Sequence, residues 1–389
     1  MDFTFTEEQR AAVEAAKAVF SSTTPDAVPS PALTPGAVAE DIDRALWRRL
    51  ADADLLGLIL DPRYGGSGLD PLALCLVLRE SAKVLARVPL LETAAAALAV
   101  QRYGTPELCA AVLPRAARGD LVLTVATAGR TGHGPAELAV QARRDGADWV
   151  LDGVQTAVPW AADADLLLIP AHTGAGRALL ALVPRDRAGI GLDEQVSTSG
   201  ERLAEVRLDA VRAAGHEVLD TDGAWDWLRA LLTTGTCALA LGVGTAVLGL
   251  TSSYTSTREQ FGHPLATFQA VAVQTADRYI DLRAMEATLW QAAWRLSQDE
   301  KGTDEKGTDA TANGALPVAG DVAVAKMWAA DGVRRVVQTA QHLHGGFGAV
   351  TDYPLHRYHA WAKHLELSLG PAAAHEEQLG ELLAAHPLA

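Results

Sequence analysis

The sequence is short of cysteine, of aromatic residues and of positive charge. It has 389 residues, of which 3 are cysteines and 5% are aromatic. Cys75, Cys109 and Cys237 stand far apart without a CxxC pair, which excludes a disulfide-stapled fold and indicates a reducing compartment. Lys and Arg number 33 against 48 Asp and Glu, a formal charge of -15. Because such a surface repels phosphate backbones, general nucleic-acid binding is excluded as a function class.

Long hydrophobic runs are also missing. The most apolar stretches, 94–100 and 237–250, are shorter than the roughly 20 residues that a membrane-spanning helix needs. The N-terminus, MDFTFTEEQR, lacks the basic region and apolar run of a signal peptide. We therefore expect a cytoplasmic protein without a membrane span, and 49% hydrophobic residues allow a large core. The length allows two or three domains of roughly 150 residues each.

Hydrophobic periodicity predicts a helical domain over 1–119 and a β domain over 120–221. Thr6 and Gln9 fit a capping box at the first helix. The predicted helices are 12–20, 40–55, 72–85, 91–103 and 106–117. The predicted strands are 121–127, 149–151, 166–171, 179–183 and 204–208. Short strands about ten residues apart, with Gly, Asp and Pro between them, are typical of an antiparallel sandwich or barrel.

From residue 222 to 389 the helical period returns, which predicts a C-terminal four-helix bundle and an α+β fold. The predicted helices are 228–257, 267–299, 320–344 and 354–385. Leu282, Met285, Leu289, Ala293 and Leu296 recur at the spacing of a bundle core. The polar duplication at 301–309 offers nothing to bury, so we expect a flexible loop over 299–318.

The most informative motif is the segment 258–269, which reads Arg-Glu-Gln-Phe-Gly-His-Pro-Leu-Ala-Thr-Phe-Gln. It ends one long helix, turns at Gly262 and Pro264, and begins the next. An arginine beside a helix N-terminus makes an anion site, because a guanidinium and free N–H groups both bind phosphate oxygens. In the alternative interpretation, Arg258 only caps the preceding helix.

A second motif, 342–348, reads His-Leu-His-Gly-Gly-Phe-Gly, and its glycines allow a ligand to approach the backbone closely. The histidine pairs at 342 and 344 and at 356 and 359 lack a carboxylate at ligand spacing, so we predict no metal site. The glycines from Gly242 to Gly249 do not form a dinucleotide-binding loop, since no strand precedes them; small residues for close helix contact explain them.

The order of these segments resembles the acyl-CoA dehydrogenase family over essentially the whole chain. Besides motifs 258–269 and 344–348, the Tyr-Gly-Gly-Ser-Gly at 64–68 supports the resemblance. The section 342–370 is most similar to actinobacterial members that act on bulky acyl groups or as pairs of unlike subunits. The resemblance implies an oxidoreductase with bound FAD, usually held across a subunit interface in a tetramer.

The resemblance also implies which residues contact FAD. Arg258, Gln260 and Phe261 match positions beside the diphosphate and adenine, and Gln269 matches a contact in the same motif. The segment that reaches the FAD of a neighbouring subunit is matched by His342, Gly345 and Gly346. Val158, Pro159 and Trp160 fall where the β domain covers the flavin.

The sequence departs from the family where the resemblance implies a catalytic base. In the family a glutamate removes the α-proton of an acyl thioester while hydride leaves Cβ for the flavin. The usual glutamate position is Leu369, and the two alternative positions are near Leu232 and Leu239. The Thr-Glu-Pro of the first β-domain strand is Ala-Thr-Ala at 126–128, and the CoA-binding arginine is replaced near Thr233, one helical turn from Arg229. Glu366 is the nearest carboxylate and only a weak candidate for the base.

Three functional hypotheses follow. In the first, the chain is an FAD-dependent acyl-CoA dehydrogenase-like protein that desaturates a bulky acyl thioester of CoA or a carrier protein, with a partner chain supplying the glutamate. In the second, the scaffold serves flavin monooxygenase or non-redox chemistry in secondary metabolism. In the third, it is a non-catalytic subunit without flavin. The expected partners are acyl-CoA dehydrogenase-like chains in a homo- or hetero-oligomer, a dimer or tetramer.

Overall fold

The computed structural model describes residues 4–29, 31, 34–127, 138–174, 176–301 and 316–386. Most of the loop predicted over 299–318 lies outside the described residues. Packing divides the chain into two compact units. The helical unit comprises Met1–Ala37, Pro71–Ala86 and Thr233–Ala389, and the sheet unit comprises Val38–Asp70 and Arg87–Leu232. The three consecutive domains of the sequence analysis have different boundaries and stay a prediction.

Helices dominate the described chain before residue 120, as predicted. They are α1 (Glu7–Phe20), α2 (Arg44–Asp52), α3 (Pro71–Ala82), α4 (Leu90–Tyr103) and α5 (Pro106–Ala117). The capping box is confirmed, because the Gln9 N–H donates to Thr6 Oγ1 at 3.2 Å and the Thr6 N–H donates to Gln9 Oε1 at 3.0 Å. Helix α2 begins later than predicted because the side chain of Asp43 accepts the Leu46 N–H at 2.9 Å and fixes its N-terminus.

The predicted β domain is one sheet in the sheet unit. Its strands are β1 (Leu123–Val125), β2 (Val140–Asp145), β3 (Asp148–Pro159), β4 (Leu166–Thr173), β5 (Ala178–Pro184), β6 (Ile190–Val196), β7 (Arg202–Ala213) and β8 (Val218–Leu219). The order is β6-β7-β3-β2-β4-β5-β8, with β1 beside β4. The five predicted strands are confirmed, whereas the mostly polar β2 and β6 and the short β8 were not predicted.

The prediction of a purely antiparallel arrangement is wrong for two strand pairs. Strand β4 runs parallel to β1 and also parallel to β2. Every other pair in this sheet is antiparallel within the described residues. Strand spacing along the chain cannot reveal such pairs, because β1 and β2 reach β4 from segments distant in sequence.

The C-terminal region forms helices α6 (Ala224–Thr257), α7 (Gln269–Lys301), α8 (Val318–His344), α9 (Leu355–Leu367) and α10 (Ala372–Ala385). The single helix predicted over 354–385 is wrong, since the chain breaks between α9 and α10. There Leu369 and Gly370 have φ angles of 58° and 103°, outside the helical region. The predicted core stripe is confirmed, because all five of its side chains are buried.

Helix α6 is unusually apolar. By length and composition it could cross a membrane, yet 78% of its most apolar window is buried inside the protein. The core helix of a globular domain has the same character, so this helix is weak evidence for a membrane span. Residues 224–232 of α6 belong to the sheet unit and the rest to the helical unit.

Candidate functional site

The connection between α6 and α7 is a tight hairpin in the helical unit. Strand β9 (Glu259–Gln260) pairs antiparallel with β10 (His263–Pro264). Phe261 and Gly262 form the loop between them, with φ angles of 54° and 77°. Two successive left-handed residues define a type I′ turn, whose twist matches that of the paired strands. The hairpin therefore presents the Phe261 ring, which is 90% exposed, at its tip.

A cation and a helix N-terminus flank this hairpin. The exposed Arg258 precedes it and forms no ion pair with any described residue. The Leu265 N–H donates to the Arg258 carbonyl at 2.8 Å, which closes the connection shortly before Gln269 begins α7. Because the first N–H groups of a helix have no partner inside it, α7 offers donors at this end. The parts of the predicted anion site are present, and in the described structure the Arg258 side chain does not cap α6.

The second predicted segment ends α8 with an exposed glycine turn. Gly345 has φ 59° and ψ -142°, and a 3₁₀ turn spans Gly345–Ala349. The Gln341 side-chain amide donates to the Gly345 carbonyl at 3.0 Å. No described atom lies within 4 Å of where a Cβ on Gly345 or Gly346 would stand. With the neighbouring His342 also exposed, the backbone of this turn is accessible to a ligand or another chain.

Four aromatic rings connect the hairpin segment to the glycine turn. The ring of Tyr254, at the end of α6, stacks on His344 with centroids 4.3 Å apart and planes 20° apart. Tyr254 also stacks on Phe347, 5.4 Å away. The hydroxyl of Tyr353 lies 3.0 Å from His344 Nε2. Sequence reasoning missed Tyr254 and Tyr353. The signal for Tyr254 was its position one helical turn before Arg258, on the same stretch of backbone.

Trp160 lies in the sheet unit, directly after β3. Its φ angle is 57°, and its carbonyl accepts hydrogen bonds from the N–H groups of Asp163 (3.0 Å) and Ala164 (2.9 Å). The Arg87 guanidinium lies 5.9 Å from the centroid of the half-buried Trp160 ring, within the range of a cation–π contact. The turn after β3 thus fixes the backbone at Trp160, and Val158, two residues earlier, is fully buried.

The positions that the resemblance associates with a base carry apolar side chains. Leu232 is buried, and Leu239 and Leu369 are half-buried. Glu366, the nearest carboxylate in sequence, is held by two cations: Lys363 Nζ lies 3.0 Å from one carboxylate oxygen and Arg334 Nε lies 3.9 Å from the other. This arrangement is typical of a structural ion pair rather than of a proton acceptor.

A buried lysine that the sequence analysis did not single out fixes the end of α9. Lys326, which is fully buried on α8, donates to the carbonyls of Leu365 (3.1 Å) and Glu366 (3.0 Å). Burial lowers the pKa of Lys326, whereas burial raises the pKa of Cys237 on α6 to about 12 despite the opposing charge of Lys326. The lysine satisfies carbonyls that would otherwise lack partners at a helix C-terminus, and so holds the backbone just before Leu369.

A groove of about 760 Å³ in the helical unit is lined by residues of α1, α3, α6 and α7. Its apolar lining includes Leu241, Leu248 and Val271. At one end Glu80 lies 3.0 Å from Arg79 and 2.7 Å from Lys83. Arg79 also lies 3.7 Å from Glu286, so these charged groups of the groove are held in ion pairs.

The histidines of the second motif are engaged in hydrogen bonds rather than gathered around a metal. His344 Nδ1 lies 2.8 Å from the Ala340 carbonyl, and His356 Nδ1 lies 2.8 Å from the Tyr353 carbonyl. Among the residues that the structure describes, no group of three His, Cys, Asp or Glu side chains is arranged to hold a metal ion.

Comparison with known proteins gives the class to which this fold belongs. A family model for the acyl-CoA dehydrogenase N-terminal domain matches residues 6–120, and one for the C-terminal domain matches residues 231–384. Acyl-CoA dehydrogenase FadE27 of Mycobacterium tuberculosis is 38% identical over 89% of this chain and 89% of its own length. Benzylmalonyl-CoA dehydrogenase of Aromatoleum aromaticum is 28% identical over 92% of this chain and 93% of its own.

Solved structures agree. The ChsE4-ChsE5 complex from Mycobacterium tuberculosis contains a chain that matches with a TM-score of 0.86 and 35% identity, covering 100% of both chains. A variant of the Tcur3481-Tcur3483 steroid ACAD matches with a TM-score of 0.85 and 36% identity, covering 97% of this chain and 98% of the other. This chain belongs to the acyl-CoA dehydrogenase family, as the sequence resemblance predicted.

Proposed function

We propose that this chain is one subunit of an FAD-dependent acyl-CoA dehydrogenase that desaturates a bulky acyl thioester, and that a second acyl-CoA dehydrogenase-like chain supplies the catalytic carboxylate. The observation that carries the proposal is a contrast within the helical unit. The two segments implied to contact FAD are formed and exposed, whereas the three base positions are leucines. An assembly in which only the partner has a base explains both facts.

The residues present fit an FAD dinucleotide. Arg258 offers a guanidinium without an ion-pair partner among the described residues, α7 offers free N–H donors at Gln269, and Phe261 offers an exposed ring. Cations and helix N-termini bind phosphates, and aromatic rings stack on bases. Gln260, His342, Gly345 and Gly346 are also exposed and complete the surface that would contact the cofactor. When bound, FAD supplies the electron acceptor for the oxidation of the acyl chain.

The residues of this chain would bind and orient the cofactor rather than transfer a proton. Arg258 neutralises diphosphate charge, while the exposed glycine turn lets the backbone approach the cofactor closely. In the sheet unit, Trp160 would cover a flavin with its half-buried ring. No residue of this chain is assigned to removal of the α-proton.

Relatives support a bulky substrate and a paired assembly. The solved structures with 35% and 36% identity are a complex of two chains and a steroid ACAD, and a further relative is a benzylmalonyl-CoA dehydrogenase. We therefore propose a ring-bearing acyl thioester as the substrate class and an unlike subunit as the partner. The three cysteines are buried and stand far apart in the sequence without a CxxC pair, which supports a cytoplasmic location.

The test is to purify the chain from its native source and record its mass, its visible spectrum and its activity with a ring-bearing acyl-CoA. The proposal expects a flavin spectrum, a second acyl-CoA dehydrogenase-like chain in the native assembly, and activity only when both chains are present. Full activity of this chain alone would contradict the paired assembly. A colourless assembly that FAD cannot reconstitute would instead support a non-catalytic subunit.

Loss of the base also supports a second candidate, in which the scaffold carries out flavin monooxygenase or non-redox chemistry. The leucine at 369 favours it, because neither reaction requires α-proton removal by that residue. Bleaching of the flavin by acyl-CoA without oxygen separates the two candidates, since it is expected only of a dehydrogenase. Product formation that depends on oxygen would identify the monooxygenase.

A further inference from the structure

Each of the two segments proposed to contact FAD follows the C-terminal end of a different helix. The hairpin at 258–264 follows α6, and the Gly345–Ala349 turn follows α8. If both segments contact the FAD of a neighbouring subunit, that cofactor needs them at a fixed separation. Preorganised segments bind more tightly than mobile ones, because less conformational entropy is lost on binding.

The four-ring cluster of Tyr254, His344, Phe347 and Tyr353 joins these two segments. Tyr254 belongs to the last turn of α6, and its carbonyl accepts the Arg258 N–H at 2.8 Å. Its ring stacks on His344, the last residue of α8, and on Phe347 within the glycine turn. Phe347 in turn contacts Tyr353, with ring centroids 4.6 Å apart. One ring attached to the hairpin segment is therefore packed against two rings of the turn segment.

Hydrogen bonds fix the orientation of the central ring. His344 Nδ1 faces the Ala340 carbonyl at 2.8 Å, which can only accept, so Nδ1 carries the proton. Nε2 of the neutral ring then accepts from the Tyr353 hydroxyl at 3.0 Å. Burial lowers the pKa of His344 and raises the pKa of Tyr353, so both groups are neutral at pH 7. The rings of Tyr254 and Phe347 complete the surroundings of the imidazole.

We propose that Tyr254, His344 and Tyr353 are positioning residues, which hold the hairpin segment and the glycine turn at the separation that one FAD dinucleotide requires. The Ala340 carbonyl fixes the tautomer of His344, the Tyr353 hydroxyl helps to fix its orientation, and the His344–Tyr254 stack transmits this orientation to the backbone that carries Arg258. The inference deepens the proposed function and rests on it. Phe347 packs in the cluster, and its exposed side leaves room for a neighbouring chain or ligand.

The test compares FAD affinity among four variants of the native assembly. Tyr353→Phe removes the donor to His344, and Tyr254→Leu removes the stacked ring; each is expected to weaken FAD binding about five- to tenfold, the effect of one hydrogen bond or one ring pair. Tyr254→Phe keeps the ring and is expected to bind FAD within about twofold of wild type. Tyr279→Phe is the matched control, because Tyr279 is 58% exposed on α7 outside the cluster.

A second measurement needs no cofactor. Hydrogen–deuterium exchange of the FAD-free assembly is expected to be faster over 342–353 in Tyr353→Phe and over 254–264 as well in Tyr254→Leu, while the melting temperature and native mass stay as in wild type. A purely structural role would instead lower the melting temperature without a selective loss of FAD affinity.

The outcomes separate the inference from the proposed function. If wild type binds FAD and both Tyr353→Phe and Tyr254→Leu bind it equally well, the inference is overturned and the function stands. If wild type binds no FAD in any assembly, the proposed function fails. In that case the exchange experiment still tests the cluster. Unchanged exchange over 254–264 and 342–353 in the variants would overturn the positioning role as well. Faster exchange would show that the cluster couples the two segments, although they bind no FAD.

Discussion

Glu92 is the charged residue in the otherwise buried run 90–100 of α4, and it is half-buried in the sheet unit. Its side chain has no ion-pair or hydrogen-bond partner among the other described side chains. Burial of the carboxyl group raises its pKa from 4.5 to about 7. The folded state therefore favours the protonated form, and the charged form is destabilising.

We expect Glu92→Gln to stabilise the protein in a pH-dependent way. Because the folded pKa is raised, the favourable contribution of Glu92 is complete below pH 4.5 and is lost as the pH rises through about 7. Glutamine resembles the protonated acid at every pH. The variant should therefore unfold like wild type near pH 4.5 and be more stable by about 3 kcal/mol near pH 8. Urea denaturation at the two pH values measures the difference.

The control for this experiment is Glu107→Gln, which changes an exposed carboxylate in the first turn of α5. It should leave the pH dependence of stability as it is in wild type. A gain in Glu92→Gln that is equal at both pH values would contradict the assignment of the effect to a buried charge.

Arg258→Gln tests the exposed cation beside the hairpin. The substitution keeps polar atoms but removes the charge, so FAD binding by the native assembly should weaken about 10- to 100-fold, as for loss of a charge-assisted hydrogen bond. The difference from wild type should shrink as salt screens the guanidinium. Arg118→Gln is the matched control, since Arg118 is exposed on the sheet unit and paired with Asp120 at 3.1 Å. Equal losses in the two variants would show only a general effect of net charge.

At the scale of elements, two glycines of α6 have different surroundings. A Cβ on Gly242 would stand 2.3 Å from the Arg79 carbonyl oxygen and 2.8 Å from Ala82 Cβ, both on α3. A Cβ on Gly249 would meet no described atom within 4 Å. The prediction that small residues serve close helix contact is confirmed at Gly242, where backbone atoms of two helices nearly touch.

The two glycines therefore give a matched pair of variants. Gly242→Ala should destabilise the protein by about 1–3 kcal/mol, because the helices must separate to admit the methyl group. Gly249→Ala should stabilise it by about 0.5–1 kcal/mol, since alanine loses less backbone entropy in a helix. Thermal or chemical unfolding of both variants checks the prediction, and a destabilised Gly249→Ala would show that another chain packs there.

The helices and turns also show which features local sequence patterns can predict. The capping box, the turn at Gly262 and the bounds of α5 depend on residues close together in the chain, and these predictions are confirmed. The break between α9 and α10 was not predicted, although Gly370-Pro371 is a local helix-breaking pair and Pro371 is the N-cap of α10. One contact from another helix and one from α10 hold that break: Lys326 on α8 binds the end of α9, and His375 Nε2 lies 2.9 Å from the Leu369 carbonyl.

At the scale of the whole molecule, the missing base predicts the stoichiometry of the assembly. If this chain lends its exposed FAD-contacting segments to a partner that has the base, each pair of unlike chains should hold one FAD. Native mass spectrometry, together with the ratio of flavin to protein absorbance, measures this number. One FAD on every chain would contradict the division of labour that we propose.

The sequence by itself determined the family, the helical and strand-forming regions, and the absence of a carboxylate at 369, because these depend on residue identity and short-range spacing. Only the tertiary structure decided the parallel pairing of β4, the approach of Arg334 to Glu366 and the Tyr254–His344 stack. The physical reason is common to all three. Each depends on side chains or strands that are distant in the chain and become neighbours only when the helices of the helical unit, or the strands of the sheet, have packed within their own unit.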